Sequence, residues 1–494
     1  MKFRLIALIA GLAALLVLAG CGGSGTTSGP EGGQVASRDR APEAATQAES
    51  PKEAKPEEGQ EKDTRQAQIS TFALDVDTAS YGYARRTLGE GRWPEPAKIR
   101  PEEFVNSFRQ DYAQPDGEGF TVHVDGALVP GERDQGVIRV GLQTRAAEAA
   151  ERRPANLTFV VDVSGSMAEP GRLDLVKNSL RTLLDQLAPG DQVAVVAFAE
   201  SATVLAGMTP LVDRDDLADA INGLDIGGGT NLAAGLVKGY EVAAQGFRPA
   251  ATNRVIVLSD GLANEGEVTW QGILDQVKEH AGRQITLLTV GVGRDYGDEL
   301  MEQLADNGDG HAIYVSSQEE ADKAFATHLA TTIELRARDA KAQVVFNPSV
   351  VESYRLIGYE NRQLATEEFR DDSRDGGEIG PGHAVTALYV VTLKPGASGQ
   401  LATATVRWQH PDTREPAESA KSIETGQLGQ DLWQAPARLQ VDVVAAAFAL
   451  FMRDGEALGL DLTALLDQAE RLAAKVEDPA VTELAQLIGK ARAV

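Results

Sequence analysis

Between residues 154 and 335, short apolar runs alternate with amphipathic stretches, and no other feature restricts the fold so tightly. Leu157–Val163, Gln192–Ala199, Arg254–Ser259, Ile285–Val292 and Ala312–Val315 read as strands, with Ala202–Leu205 as a short edge strand. Arg172–Leu187 reads as a helix, because Leu175, Val176, Leu180, Leu183, Leu184 and Leu187 recur at helical spacing. Helical patterns also cover Leu217–Leu224, Leu232–Ala244, Ile273–Ala281, Leu300–Asn307 and Glu319–Leu335. Apolar strands separated by helices predict a doubly wound, mostly parallel α/β sheet covered on both faces. Such sheets bind ligands outside the carboxyl ends of their strands, where the strand order reverses.

Two of these strands end in oxygen-bearing side chains. Asp162-Val163-Ser164-Gly165-Ser166 closes the first. Residues two apart on an extended chain point to one side, so Asp162, Ser164 and Ser166 can converge. One carboxylate and two hydroxyls suit a small, hard divalent cation such as Mg²⁺. Alone the pentapeptide is a weak signal, since a Ser/Asp-rich turn capped by Asp162 has the same composition. Two later segments add weight. Gly227-Gly228-Gly229-Thr230-Asn231 places a hydroxyl behind three glycines, and Leu258-Ser259-Asp260-Gly261 ends another strand in a carboxylate.

In this order, the three segments resemble the metal-ion-dependent adhesion site of the von Willebrand factor type A family, whose fold is Rossmann-like. The resemblance implies that Ser164, Ser166 and Thr230 touch a divalent cation, Mg²⁺ first and Mn²⁺ or Ca²⁺ as alternatives. It implies that Asp162 and Asp260 act largely through water or as acceptors behind the ligands. A metal facing mostly neutral oxygens stays electrophilic, so an acidic side chain from a protein partner can complete its shell.

At the start of the chain, Lys2 and Arg4 precede an apolar run from Leu5 to Gly20. It is shorter than the roughly 20 residues that span a bilayer and reads as a signal peptide over residues 1–20. Leu18-Ala19-Gly20-Cys21 resembles the bacterial lipobox. That resemblance implies cleavage before Cys21 and acylation of its thiol, for example by palmitate, anchoring the protein to a membrane of the cell envelope. Gly22 stands where Asp resembles an inner-membrane retention signal, which favours the outer membrane in a Gram-negative host. Cys21 is the only cysteine, so no intramolecular disulfide can form. Residues 22–68 hold no Leu, Met, Phe, Trp or Tyr and cannot offset the entropy of ordering. Residues 21–68 are therefore expected to be a lipidated cysteine on a disordered tether.

The remainder divides into flanks at 69–153 and 336–437 around the central 154–335 domain, with C-terminal helices over 438–494. Phe120–Leu128, Gly136–Thr144, Ala342–Phe346, Val350–Ile357, Val385–Leu393 and Ala402–Trp408 read as strands. Neither flank has enough strands to close a core alone. The expectation is one shared β-sandwich, with pairing between residues 119–145 and 338–426, into which the central domain is inserted. Thr71–Tyr83 with Arg85 and Arg86, and Glu378–Leu388, resemble the flanks of bacterial lipoproteins that carry a central von Willebrand A domain. Asp75, Asp77 and Ser80 could be taken for a second metal cluster, but Asp77 or Thr78 more simply caps the following helix. Val443–Met452 is apolar throughout and reads as a core helix.

Lys and Arg total 47 against 73 Asp and Glu, a formal net charge of −26. Residues 1–20 carry two basic residues and no acid, so the remainder stands at −28. With no basic stripe interleaved with aromatics, binding to nucleic acid is not expected. No phosphate loop, H-E-x-x-H or G-x-S-x-G motif is present. His383 reads as a structural loop residue, and Asn264, Glu265 and Glu267 as a solvated loop at the sheet's top edge, placed to tune a metal or contact a partner. The expected function is capture of a protein partner rather than catalysis. A metal-assisted hydrolase of envelope polymers and a purely structural envelope scaffold are the alternatives.

Overall fold

The computed structural model describes residues 60–494 except 75–76, 147–152, 262, 282–284, 294–297, 309, 316, 323, 326–334, 373, 375 and 430. The expected signal peptide, Cys21, the tether up to residue 59, Asp75 and most of the Glu319–Leu335 helix lie outside the described residues.

The central domain is a six-stranded sheet. Its order is His311–Val315, Ile285–Val292, Thr252–Ser259, Ala155–Asp162, Gln192–Phe198 and Ala202–Pro210. All neighbours are parallel except the last, which pairs antiparallel and runs longer than the edge strand expected at Ala202–Leu205. Alternation along Ala155–Asp162 sorts its side chains to two cores. Leu157, Phe159 and Val161 pack on one face with Leu175, Val176, Leu180 and Leu183 of the Arg172–Gln186 helix. Val160 lies on the other face with Leu232, Leu236 and Tyr240 of the Leu232–Gln245 helix. The chain leaves Ala155–Asp162 toward one edge and returns on its other side at Thr252–Ser259, so the strand order reverses between these two.

The flanks form a single β-sandwich. One sheet runs Lys62–Asp63, Val351–Ile357, Ala384–Leu393, Gln135–Thr144, Phe120–Leu128. The other runs Gly377–Ile379, Ala337–Phe346, Gln400–Gln409, Pro416–Glu424, with Ile69–Ala73 also pairing to Ala337–Phe346. The strand Gln135–Thr144 pairs antiparallel with Ala384–Leu393, which is the cross-flank pairing the sequence led us to expect. Both sheets feed one core, in which Phe72, Val122, Ile138 and Val140 meet Val344, Tyr354, Tyr389 and Val406.

Three details differ from expectation. Lys62–Asp63, placed above in the tether, pairs with Tyr354 and Ser353, and buried Thr64 donates its hydroxyl to the Val351 carbonyl at 2.7 Å. Lys62–Asp63 thus belongs to the folded part, through backbone pairing that composition does not reveal. Pro416–Glu424 is a strand although mostly exposed, with only Ile423 buried, so it shows no apolar run. Finally, of the two residues expected to cap the Ala79–Gly89 helix, Thr78 does not. Thr78, at the cap position, makes no capping bond, Asp77 lies 3.8 Å from Arg362, and the Ser80 N–H donates to Glu103 Oε2 at 2.7 Å.

The Ala437–Asp454 helix explains its own composition. Leu439, Val443, Ala446 and Leu450 cover Val137, Ile357 and Leu388 on the outer face of a sandwich sheet. Val441, Val444, Ala445 and Phe448 face Tyr81, Phe104, Leu465 and Leu484 of the surrounding helices. A helix packed on both sides is apolar all round. Among the described residues, no helix is long and apolar enough to cross a membrane.

Candidate metal centre

The reversal of strand order creates a crevice at the carboxyl ends of Ala155–Asp162 and Thr252–Ser259. Asp162 ends the first strand and Asp260 follows the second, and both are fully buried. Beyond Asp162 the chain turns through a short 3₁₀ segment, Gly165–Ala168, before the Arg172–Gln186 helix begins. That turn brings Ser164 and Ser166 over the strand end, with their Oγ atoms 3.0 Å apart. Ser164 is buried and Ser166 half-buried.

Asp162 is held from both sides. Its Oδ1 accepts the Ser164 N–H at 2.8 Å, and its Oδ2 accepts the Ser259 hydroxyl. The Ser259 oxygen in turn accepts the Gly261 N–H at 3.0 Å, tying Asp162 to the loop of Asp260. Burial pushes the Asp162 carboxyl above its ordinary range, and the nearby Asp260 charge acts in the same direction. Asp260 Oδ2 accepts from Arg172 Nη1 at 2.7 Å, and the same nitrogen lies 3.2 Å from the Ser166 carbonyl. Arg172 also reaches Glu169 at 2.7 Å.

The glycine segment joins through its backbone. Gly165 N–H donates to the Gly228 carbonyl at 2.8 Å, and Gly227 N–H to the Val163 carbonyl at 2.6 Å. Thr230, 2% exposed, donates its N–H to Asn264 Oδ1 at 2.9 Å. Its carbonyl accepts from the N–H groups of Asn264 and Glu265. Asn231 then caps the Leu232–Gln245 helix, accepting from Ala234 N at 3.0 Å.

Of the five residues singled out in the sequence, Asp162, Ser164 and Ser166 are linked in a chain, Ser164 bonding to each of the other two. Asp260 is joined to them through Arg172 and Ser259. Thr230 is brought in by the main chain, and among the described residues its hydroxyl bonds to none of the other four. Among the described residues, no three His, Cys, Asp or Glu side chains gather into a metal site, so any cation here depends on hydroxyls. The Asp162 carboxylate with the Ser164 and Ser166 hydroxyls offers only oxygen donors, the type that suits a small hard cation.

Sequence reasoning missed Arg172, Ser259 and the bond made by Asn264. Ser259 stood inside a quoted motif, and Arg172 lies six residues beyond Ser166, but its pairing with Asp260 joins residues 88 positions apart with no sequence signal. The backbone of His383 exchanges bonds with Thr144 in the sandwich.

The family model "von Willebrand factor type A domain" matches residues 156–327, the span that carries this sheet and crevice. A "von Willebrand factor" model matches residues 48–139, and "Uncharacterized protein YfbK, C-terminal" matches residues 331–399. The chain is homologous to "Uncharacterized protein YfbK" of Escherichia coli (strain K12), with 33% identity over 72% of this chain and 66% of that protein. It is also 29% identical to "Uncharacterized protein sll0103" of Synechocystis, over 37% of this chain and 43% of that one. The chain thus spans about two thirds of the first relative and less than half of the second. Among solved structures, a von Willebrand factor type A protein from Catenulispora acidiphila aligns over 74% of this chain and 90% of its own, at 16% identity and a TM-score of 0.46.

Proposed function

We propose that this chain is a lipid-anchored protein of the cell envelope, held through Cys21, that captures a protein partner through a divalent cation. Asp162, Ser164, Ser166, Thr230 and Asp260 hold the cation, Mg²⁺ first among the candidates, and an acidic side chain of the partner is its outward ligand. The observation that carries this reading is the meeting of three hydrogen-bonded loops at the reversal point, with the Ser164 and Ser166 hydroxyls side by side over a buried Asp162. When bound, the cation supplies an electrophilic position for a carboxylate. The protein's own groups orient the oxygens: Ser259 and the Ser164 amide fix Asp162, and Arg172 fixes Asp260.

Two measurements test it. Titration calorimetry with Mn²⁺ is expected to give one site per chain, weakened at least about tenfold by Asp162→Ala. Crosslinking in intact envelopes is expected to yield a protein neighbour that EDTA releases. Neighbours that persist through both EDTA and Asp162→Ala would sink the proposal. Globomycin-type inhibition of lipoprotein processing, or Cys21→Ser, is expected to free the protein from the membrane fraction.

A further inference from the structure

At the end of the central sheet opposite the crevice, a cavity of about 100 Å³ lies between the central domain and the sandwich. Asn253 and Thr286 line it from the second positions of Thr252–Ser259 and Ile285–Val292, so it is about 25 Å from Asp260. Arg336 and Arg338 line it from the start of Ala337–Phe346, and His410 and Asp412 from the turn after Gln400–Gln409. Arg153, where the chain enters the central domain, completes the wall.

The charges there are sorted by depth. At the mouth, two exposed acids are already engaged: Asp412 accepts from Arg153 Nη1 at 2.6 Å, and Glu118 lies 3.2 Å from His410 Nε2. Further in, Arg338 is 6% exposed, and its Nη1 is 3.8 Å from Glu378, an ion pair too long for a hydrogen bond. Behind Thr286 sits Arg254, 1% exposed, whose Nε donates to the Thr286 hydroxyl oxygen at 2.9 Å. Burial pushes the Arg254 guanidinium down to about 10; Glu378 opposes the shift and Arg338 adds to it. Two guanidinium groups in the wall and a third behind it therefore border one polar cavity. Neighbouring buried cations cost free energy, which a bound anion offsets.

We propose that this cavity binds one small tetrahedral oxyanion, of the phosphate or sulfate class, which ties the central domain to the sandwich. Water occupies about 30 Å³ in the liquid, so the volume suits a few waters or one such ion and is too small for a nucleotide. The planar forks of Arg336 and Arg338 match the oxygen spacing of an oxyanion and approach it from the sandwich. Arg153 and Thr286 approach from the central domain. Because the Thr286 oxygen already accepts from Arg254, its hydroxyl proton is left for the anion. The site stands apart from the metal crevice and does not rest on metal-dependent capture.

The test is equilibrium dialysis of the full chain against inorganic phosphate, with chloride holding the ionic strength constant. One phosphate per chain is expected, displaced by sulfate and unaffected by EDTA. Arg336→Gln should weaken it about tenfold. Arg153→Gln, a milder change at the partly exposed mouth, should weaken it about threefold and carries the test if the first variant fails to fold. Phosphate should also raise the melting temperature of wild type more than that of either variant. Absence of saturable phosphate binding overturns the proposal, as does binding that both variants leave unchanged. A chain that floats with phosphatidylglycerol vesicles yet retains no inorganic phosphate would put a lipid headgroup in place of the free ion, and overturns it too.

Discussion

The crevice and the junction between the sandwich and its helices both bury carboxylates, yet they treat them in opposite ways. Asp442, fully buried on the Ala437–Asp454 helix, is 2.9 Å from Arg139 Nη1 and accepts from Gln110 Nε2 at 2.6 Å. Arg139 is in turn held by Asp125 at 2.7 and 2.9 Å, and its guanidinium sits 5.1 Å from the centre of the Tyr112 ring. Every strong group there has its partner within the chain, and the helix is locked to the sheet. At the crevice, Asp162 is held by an amide and a hydroxyl, while the Ser166 side chain remains partly open to solvent. A closed network specifies structure, whereas an incompletely closed one leaves room for something to be added.

The contrast can be broken most sharply at the junction. Asp442→Ala leaves the Arg139 guanidinium buried and short of a partner, and should cost about 3–5 kcal/mol in denaturant unfolding. A smaller cost would mean that the junction is as open as the crevice.

The same carboxylate gives a pH signature. Burial pushes Asp442 up to about 6 from an ordinary value of 3.8. Between these values the native state keeps a proton that the unfolded chain has released. Its contribution is therefore lost as pH rises through this window, by at most ~3 kcal/mol. The difference between wild type and Asp442→Asn, followed from about pH 4 to 6.5, should isolate it. A flat difference would refute the assignment.

The crevice should respond to its ligand instead. Arg172→Met removes the cation beside Asp260 and should destabilise the metal-free protein by about 2 kcal/mol. Mn²⁺ should raise the melting temperature of this variant more than that of wild type, because the metal replaces the lost charge. An equal rise in both proteins would show that Arg172 and the metal do not share Asp260. Asp162→Ala should have the smallest effect on stability, about 1 kcal/mol: it leaves the buried Ser164 amide and Ser259 hydroxyl without their acceptor but relieves the repulsion between Asp162 and Asp260. A loss near that of Asp442→Ala would erase the distinction between the two regions.

Much of this was legible because it was encoded locally. The strands ending at Asp162 and Ser259 advertise themselves as apolar runs, and the adhesion-type residues follow them within a few positions. The shared sandwich was legible from a deficit, since neither flank held enough strands. What escaped was long-range or polar. Arg139 with Asp442, and Arg172 with Asp260, join residues far apart in sequence that no periodicity links. Lys62–Asp63 and Pro416–Glu424 lie at sheet edges, where one side faces water and backbone pairing replaces apolar pattern.

The insertion has a consequence for how the chain is made. Gln135–Thr144 leaves one sheet before the central domain starts, and its partner Ala384–Leu393 emerges only after that domain is finished. Ile69–Ala73 likewise waits for Ala337–Phe346. In vectorial synthesis the guest can close its own sheet while the host still holds unmated strands, so maturation ends with the outer β-layers zipping shut around a domain already formed.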